Sequence, residues 1–267
     1  MASLMFQGDG LALSSDGLNV VASRAGLQAT EIWTVLAVET SGCGYLPDRR
    51  PQILFERHIF HRLTNGQYDD GDISSPRPGG YGKLGAHQYD RLAVAISEDR
   101  NAALQSASWG IGQIMGMNYA LAGFQSVDDM VVAMSASEDQ QLAAVVSFLV
   151  GKKLDGPLQA HDWQSFALGY NGPNYKVNHY DTKLVAAFQR YSADGLPDLS
   201  VRAAQLYLTY LGYKPGRIDG VVGPLTLPAL SAFQSDHGLA ANNTIDAACV
   251  AQISGVLQNA DHGSSGA

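Results

Sequence analysis

Residues 30–44 read Thr30-Glu31-Ile32-Trp33-Thr34-Val35-Leu36-Ala37-Val38-Glu39-Thr40-Ser41-Gly42-Cys43-Gly44. Thr30 is suited to cap a helix over residues 31–40, and Gly42 and Gly44 are suited to end it. Ile32, Val35, Leu36 and Glu39 fall at i, i+3, i+4 and i+7, so they share one face, which is expected to be the buried one. A carboxylate at the end of that face loses water, and in the last turn it meets the negative end of the helix dipole. Both effects favour its neutral form, the state required of a general acid near neutral pH. The same spacing also suits a glutamate that snorkels to solvent or pairs with Arg49 or Arg57.

The chain around this helix has 267 residues, 46% of them hydrophobic and 16% charged. That is enough to bury one large or two unequal cores, and it excludes disorder. No run approaches the ~18 apolar residues of a membrane span, and residues 1–9 lack the basic and apolar regions of a secretion signal. The net charge of −8 argues against charge-driven binding to nucleic acid or anionic lipid. Cys43 and Cys249 are expected to be two free thiols that serve packing.

A turn signal at residues 191–198 separates about 190 residues from about 70. The expected division is 1–192 for a catalytic domain, 193–198 for a linker, 199–259 for a second domain and 260–267 for a disordered tail. In the large domain, helical patterns are expected at 89–106, 113–121, 127–150, 163–168 and 181–191, with one short strand at 52–56. Residues 64–86 form a long loop, expected as a functional rim or hairpin flap. The fold class is therefore α+β, mostly α-helical. The small domain reads as three helices at 199–211, 227–237 and 245–257, the last capped by Thr244.

Further motifs follow in order: Ser108-Trp109-Gly110-Ile111-Gly112-Gln113-Ile114-Met115, then Gly169-Tyr170-Asn171-Gly172-Pro173-Asn174-Tyr175. With Val38–Gly44 they resemble goose-type lysozymes and lytic transglycosylases. Those enzymes carry a helix-ending Glu followed by Ser or Thr, a Gly-x-x-Gln-like segment and a late Tyr-Asn. Arg50-Pro51-Gln52-Ile53-Leu54-Phe55-Glu56-Arg57-His58 and Tyr180-Asp181-Thr182-Lys183-Leu184 more closely resemble the N-acetylmuramidase domain of phage endolysins, over roughly residues 15–192. The resemblance implies a lysozyme-like catalytic domain with Glu39 as acid and Gln113, Tyr170, Asn171, Trp109 and Tyr175 near the glycan. Gly110, Gly112 and Gly116 would let backbone approach a sugar, and Gln113 would bond a hydroxyl or acetamido group. Trp109 would stack on a pyranose face, or serve as an ordinary core residue. Tyr170 would donate near the acid, although Asn171-Gly172-Pro173 is also a plain turn signal.

Glycoside hydrolysis usually needs a second carboxylate. Glu56 is the candidate, with an ion pair to Arg57 or another arginine as the alternative reading, and Asp48, Asp69, Asp70 and Asp72 as other choices. A separation from Glu39 of ~6.5–9.5 Å would give inversion and ~5–5.5 Å retention. His58 and His61 lack further metal ligands and a His-Glu-x-x-His pattern, so no metal and no cofactor are expected. Cys43 with His58 suggests a peptidase only weakly, since Cys43 lies between glycines where a small residue suffices.

In the small domain, Val201-Arg202-Ala203-Ala204-Gln205-Leu206-Tyr207-Leu208, the loop Gly216-Arg217-Ile218-Asp219-Gly220-Val221-Val222-Gly223-Pro224 and Ala232-Phe233-Gln234 resemble the three-helix peptidoglycan-binding domain. The second Asp-Gly loop of that family is replaced by Gly238-Leu239-Ala240-Ala241-Asn242-Asn243-Thr244. The resemblance implies Asp219 and Tyr213 as wall-binding residues, while Asp219 equally suits capping of loop amides. The resemblance implies a modular endolysin that hydrolyses the β-1,4 bond between N-acetylmuramic acid and N-acetylglucosamine. It would be a monomer whose partner is peptidoglycan, without nucleic acid or membrane insertion. It would be made in the host cytoplasm and act in the periplasm after membrane permeabilisation. A lytic transglycosylase, a non-catalytic wall-binding virion protein, and a peptidase or amidase are the alternatives.

Overall fold

The computed structural model describes residues 5–39 and 43–264, with the side chains of Glu39 and residues 260–264 left undescribed. Thr40, Ser41 and Gly42, which follow Glu39 where the sequence predicts the end of its helix, lie outside the described residues. In the large domain the elements are α1 (Ser15–Ala25), α2 (Ala29–Glu39), β1 (Ile53–Phe55), α3 (Arg57–Leu63), α4 (Gln88–Glu98), α5 (Arg100–Gln105), β2 (Ala107–Trp109), β3 (Ile114–Met115), α6 (Val127–Ala136), α7 (Glu138–Gly151), α8 (Asp155–Gln159), α9 (Trp163–Asn171) and α10 (Tyr180–Asp194). The small domain holds α11 (Leu199–Tyr210), α12 (Thr226–Asp236) and α13 (Ala247–Ser264). The class is α+β and mostly helical. Its one sheet among the described residues is antiparallel, ordered β1-β2-β3.

Local polar groups decide where elements break. The helical pattern over 89–106 splits at Asp99, which is extended and accepts from the Ala102 amide to restart the chain as α5. Ser137 does the same between α6 and α7, accepting from Gln140. Residues 113–121 are not a helix: Gln113 has φ +49°, turning β2 into β3, and only a 3₁₀ turn follows. Thr30 lies inside α2, while the Gln28 amide donates to Glu31 at the helix start. α1 is additional to the expected helices; Ser14 caps it and Gly26 ends it in the left-handed region. Residues 64–84 contain no strand, so the flap is an irregular loop, pinned where Asp70 accepts from Asp72 and Ile73.

α10 runs through Ala193 and Asp194, so the connection shortens to residues 195–198, closed by Asp198 capping α11. Asp246, not Thr244, caps α13 by accepting from Cys249. The backbone of 260–264, expected in a disordered tail, continues that helix, and 265–267 lie outside the described residues.

α2 is the central helix of the large domain. Ile32, Val35 and Leu36 are buried as their spacing requires, and so are Trp33 and Thr34. Its long packing partner is α10. A second core joins α11, α12 and α13 through Leu206, Leu208, Leu230, Phe233 and Ile253. Ala12, Cys43 and Tyr45 of the large domain belong to this second core. The two domains therefore share an interior.

Candidate active site

α2 delivers the backbone of Glu39 to its C-terminal end. The chain described again from Cys43 is fastened at once. The Gly44 amide donates to Glu138 Oε1 at 2.8 Å, and its carbonyl accepts from the Gln52 amide at 2.7 Å and Gln141 Nε2 at 3.4 Å. A Cβ at Gly44 would overlap the Gln141 amide, so glycine is required there. The Gln52 carbonyl accepts from Gly110 at 2.8 Å and from Gln113 Nε2 at 3.2 Å. One frame of hydrogen bonds thus links the segment after Glu39, the start of β1 and the β2–β3 turn.

β1 then carries the chain to Glu56, at the N-cap of α3, whose amide donates to Ser106 O at 2.8 Å. The Glu56 side chain does not cap its helix. It lies largely buried, 16% exposed, with Oε2 3.1 Å from His58 Nδ1. Both atoms are buried and in ion-pair range, without an aligned hydrogen bond between them. Arg57 turns away and donates to Gly71 O at 2.6 Å, so the alternative reading of a Glu56–Arg57 pair gives way to proximity of Glu56 and His58. Burial raises the Tyr81 phenol pKa, and the neighbouring Glu56 carboxylate adds to the rise through its charge and a hydrogen bond. Buried Gln88 brings Tyr81 there: it accepts from the Phe55 amide at 3.0 Å and donates to the carbonyls of Tyr81 and Lys83 at 2.7 and 2.6 Å. The long loop therefore contributes a phenol beside Glu56. Tyr81 and Gln88 are silent in the sequence, because neither sits in a motif.

The other carboxylates are engaged elsewhere. Asp48 pairs with Arg50, Asp72 with Arg91, Asp69 lies 3.8 Å from His61, and Asp70 holds its own loop. His58 and His61 face different partners, and no group of three potential metal ligands occurs among the described residues. Cys43 donates to Tyr45 O, and burial pushes its thiol up to about 11, aided by Glu138, so the thiolate a nucleophile needs is disfavoured.

Several expected sugar contacts need correction. Trp109 is 0% exposed; its indole donates to Leu104 O at 3.1 Å and its ring meets the edge of Phe6, so it is core and cannot stack on a pyranose. Tyr175 is likewise buried in the large core. The amide of Gln113 is spent internally, accepting from Ser108 Oγ at 2.8 Å and donating to Gly110 O at 2.9 Å as well as to Gln52. Gln113 shapes the turn rather than presenting free groups to a glycan. The glycines serve close packing: a Cβ at Gly110 would strike Gln141, at Gly112 Val145, and at Gly116 the Leu104 carbonyl. Tyr170, half-buried near the end of α9, donates to Gly112 O at 3.1 Å and stacks on Phe166, with Asn171 beside it. Tyr170 and Gln113 thus meet at the same turn.

In the small domain, buried Gln205 organises the glycine-rich loop. Its Oε1 accepts from Asp219 and Gly220 at 3.1 and 3.0 Å, and its Nε2 donates to Val221 O at 2.9 Å. Asp219 Oδ1 accepts from Val221 at 3.1 Å, a loop-forming role. Gln234 holds the replaced loop in the same way, accepting from the Asn242 amide and donating to Asn242 Oδ1, both at 3.2 Å. Tyr213 is half-buried, donates to Asp236 at 2.9 Å and meets Phe233 edge-on. Glu138, Gln141, Arg202 and Gln205 carry structural roles that no motif announces. Their signal in the sequence is a polar residue at helical spacing within an apolar stripe.

Comparison with known proteins agrees with this architecture. Residues 28–192 match the family model for N-acetylmuramidase, and residues 197–253 that for a putative peptidoglycan binding domain. The crystal structure of Burkholderia AP3 phage endolysin is similar, at 38% identity and a TM-score of 0.62, covering 68% of this chain and 72% of that one. No curated protein matches the sequence.

Proposed function

The chain belongs to the N-acetylmuramidase family, and from that premise we propose that its catalytic centre lies at the end of α2, with Glu39 as general acid and Glu56 as second carboxylate. It is a modular peptidoglycan-cleaving glycoside hydrolase of the endolysin type, with a peptidoglycan-binding domain following the catalytic one. Glu39 protonates the oxygen of the β-1,4 bond between N-acetylmuramic acid and N-acetylglucosamine. Glu56 activates water or stabilises the oxocarbenium-like transition state. Tyr170 and Asn171 line the glycan side of the β2–β3 turn, and Tyr213 meets the wall. The observation that supports this reading most is the buried, incompletely hydrogen-bonded carboxylate of Glu56. It follows a strand tied to the segment after Glu39 through Gln52 and Gly44. An under-satisfied buried carboxylate costs stability, and a catalytic role is one reason a protein retains such a group.

The test is Glu39→Gln. It should abolish release of soluble fragments from purified peptidoglycan while folding and wall binding persist; wild-type release would overturn the assignment. We further propose that the enzyme works as a monomer on the periplasmic side of the wall, reached once the membrane has been permeabilised. No helix among the described residues is long and apolar enough to cross a membrane. With a net charge of −8, wall attachment rests on hydrogen bonds and apolar contact rather than bulk attraction.

A further inference from the structure

Glu138 opens α7 at 0% exposure, where a lone carboxylate would be expelled or neutralised. Among the described residues its two oxygens take four hydrogen bonds. Oε1 accepts from Gly44 N at 2.8 Å and Arg202 Nη2 at 2.7 Å; Oε2 accepts from Leu13 N at 2.9 Å and from Arg202 Nη1. Arg202, 1% exposed, stands on α11 of the wall-binding domain and reaches into the catalytic domain. Its guanidinium also lies 5.8 Å from the ring of Trp33 on α2.

Around the pair the two domains interlock. Cys43 and Tyr45, flanking Gly44, pack into the core that holds Ala203, Ala204 and Tyr207. The Ala12 amide donates to Tyr207 Oη at 3.1 Å, and Tyr210 Oη donates to Gly10 O at 2.8 Å. Burial alone would raise the Glu138 pKa. The Arg202 charge and the hydrogen bonds from Arg202, Gly44 and Leu13 overcome it and hold the carboxyl below its ordinary value.

We propose that Arg202 is a positioning residue for the hydrolase: its forked grip on Glu138 fixes Gly44, five residues after Glu39 in the chain. The wall-binding domain thus completes the catalytic domain from behind as well as anchoring it. A loosened Glu138 is felt directly at Gly44, because the carboxylate accepts from the Gly44 amide at 2.8 Å. The inference rests on Glu39 being the acid. A misplaced acid lowers kcat, while glycan contacts made elsewhere leave KM in place.

The experiment uses the full chain and short soluble glycan oligosaccharides, which make tethering to an insoluble wall irrelevant. Arg202→Met, checked as folded by circular dichroism, should lower kcat at least tenfold with KM within twofold. A folded variant with wild-type kcat, or one with raised KM and unchanged kcat, overturns the proposal. If Arg202→Met does not fold, Arg202→Lys replaces it, since lysine keeps the charge but not the fork. A kcat at least threefold lower with KM unchanged is then expected, and wild-type kcat overturns the proposal. Glu39→Gln is measured alongside. If it is inactive while the Arg202 variant is unimpaired, only the positioning role falls; if it is active, both readings fall.

Discussion

At the scale of single residues, aromatic side chains are the hardest to read. A tryptophan between glycines suits a sugar platform and a core equally well, because both need a flat apolar face. Trp109 is core, so Trp109→Ala should cost about 3–5 kcal/mol in denaturant unfolding and leave the KM of the remaining folded enzyme unchanged. The proposal for Glu39 starts from spacing, since three apolar partners share its face, and takes its weight from the motifs around it. Glu56 is proposed from its motif, but its neighbours are not legible there: Tyr81 arrives from a loop 25 positions on, and His58 stands where an arginine is the alternative partner. As second carboxylate, Glu56→Gln should lower kcat by about 10²-fold or more with KM changed only a few fold. Steady-state kinetics on soluble glycan would show it, and an unimpaired kcat would remove Glu56 from the mechanism.

At the scale of elements, periodicity locates the helices but not their breaks. Asp99 and Ser137 each sit within a long apolar pattern and restart the chain as helix caps, a choice that packing makes. α2 exposes the opposite gap. Its stripe predicts one buried face, yet Trp33 and Thr34 are buried too, because neighbours surround the helix and periodicity reports only one face. The β2–β3 turn looks helical in sequence because Gln113 gives no sign of its positive φ. Its glycines are packing devices, as is Gly44. Gly44→Ala should therefore destabilise the fold by about 1–3 kcal/mol and depress kcat at temperatures where the protein remains folded. Thermal unfolding paired with an activity assay would separate the two effects.

At the scale of the whole molecule, the order of two domains is legible because each carries its own motifs. Their docking is not, because an ion pair between residues 64 positions apart is visible only once both helices are packed. A wall-binding domain on a loose tether would raise effective concentration alone; this one shares a core with its neighbour, so calorimetry should show one unfolding transition rather than two. The Glu138–Arg202 pair also makes that interior acid-sensitive. The folded carboxyl has a lowered pKa, so its stabilisation is complete above the ordinary value of 4.5 and is lost as pH falls through the lowered folded value. Glu138→Gln should start less stable at neutral pH and lose less further stability on acidification below 4.5, a difference that melting temperatures against pH would reveal. The chemistry itself is read most directly from its product. Mass spectrometry of fragments released from purified peptidoglycan should find reducible N-acetylmuramic acid ends, made by water, while 1,6-anhydro ends would contradict hydrolysis by two carboxylates.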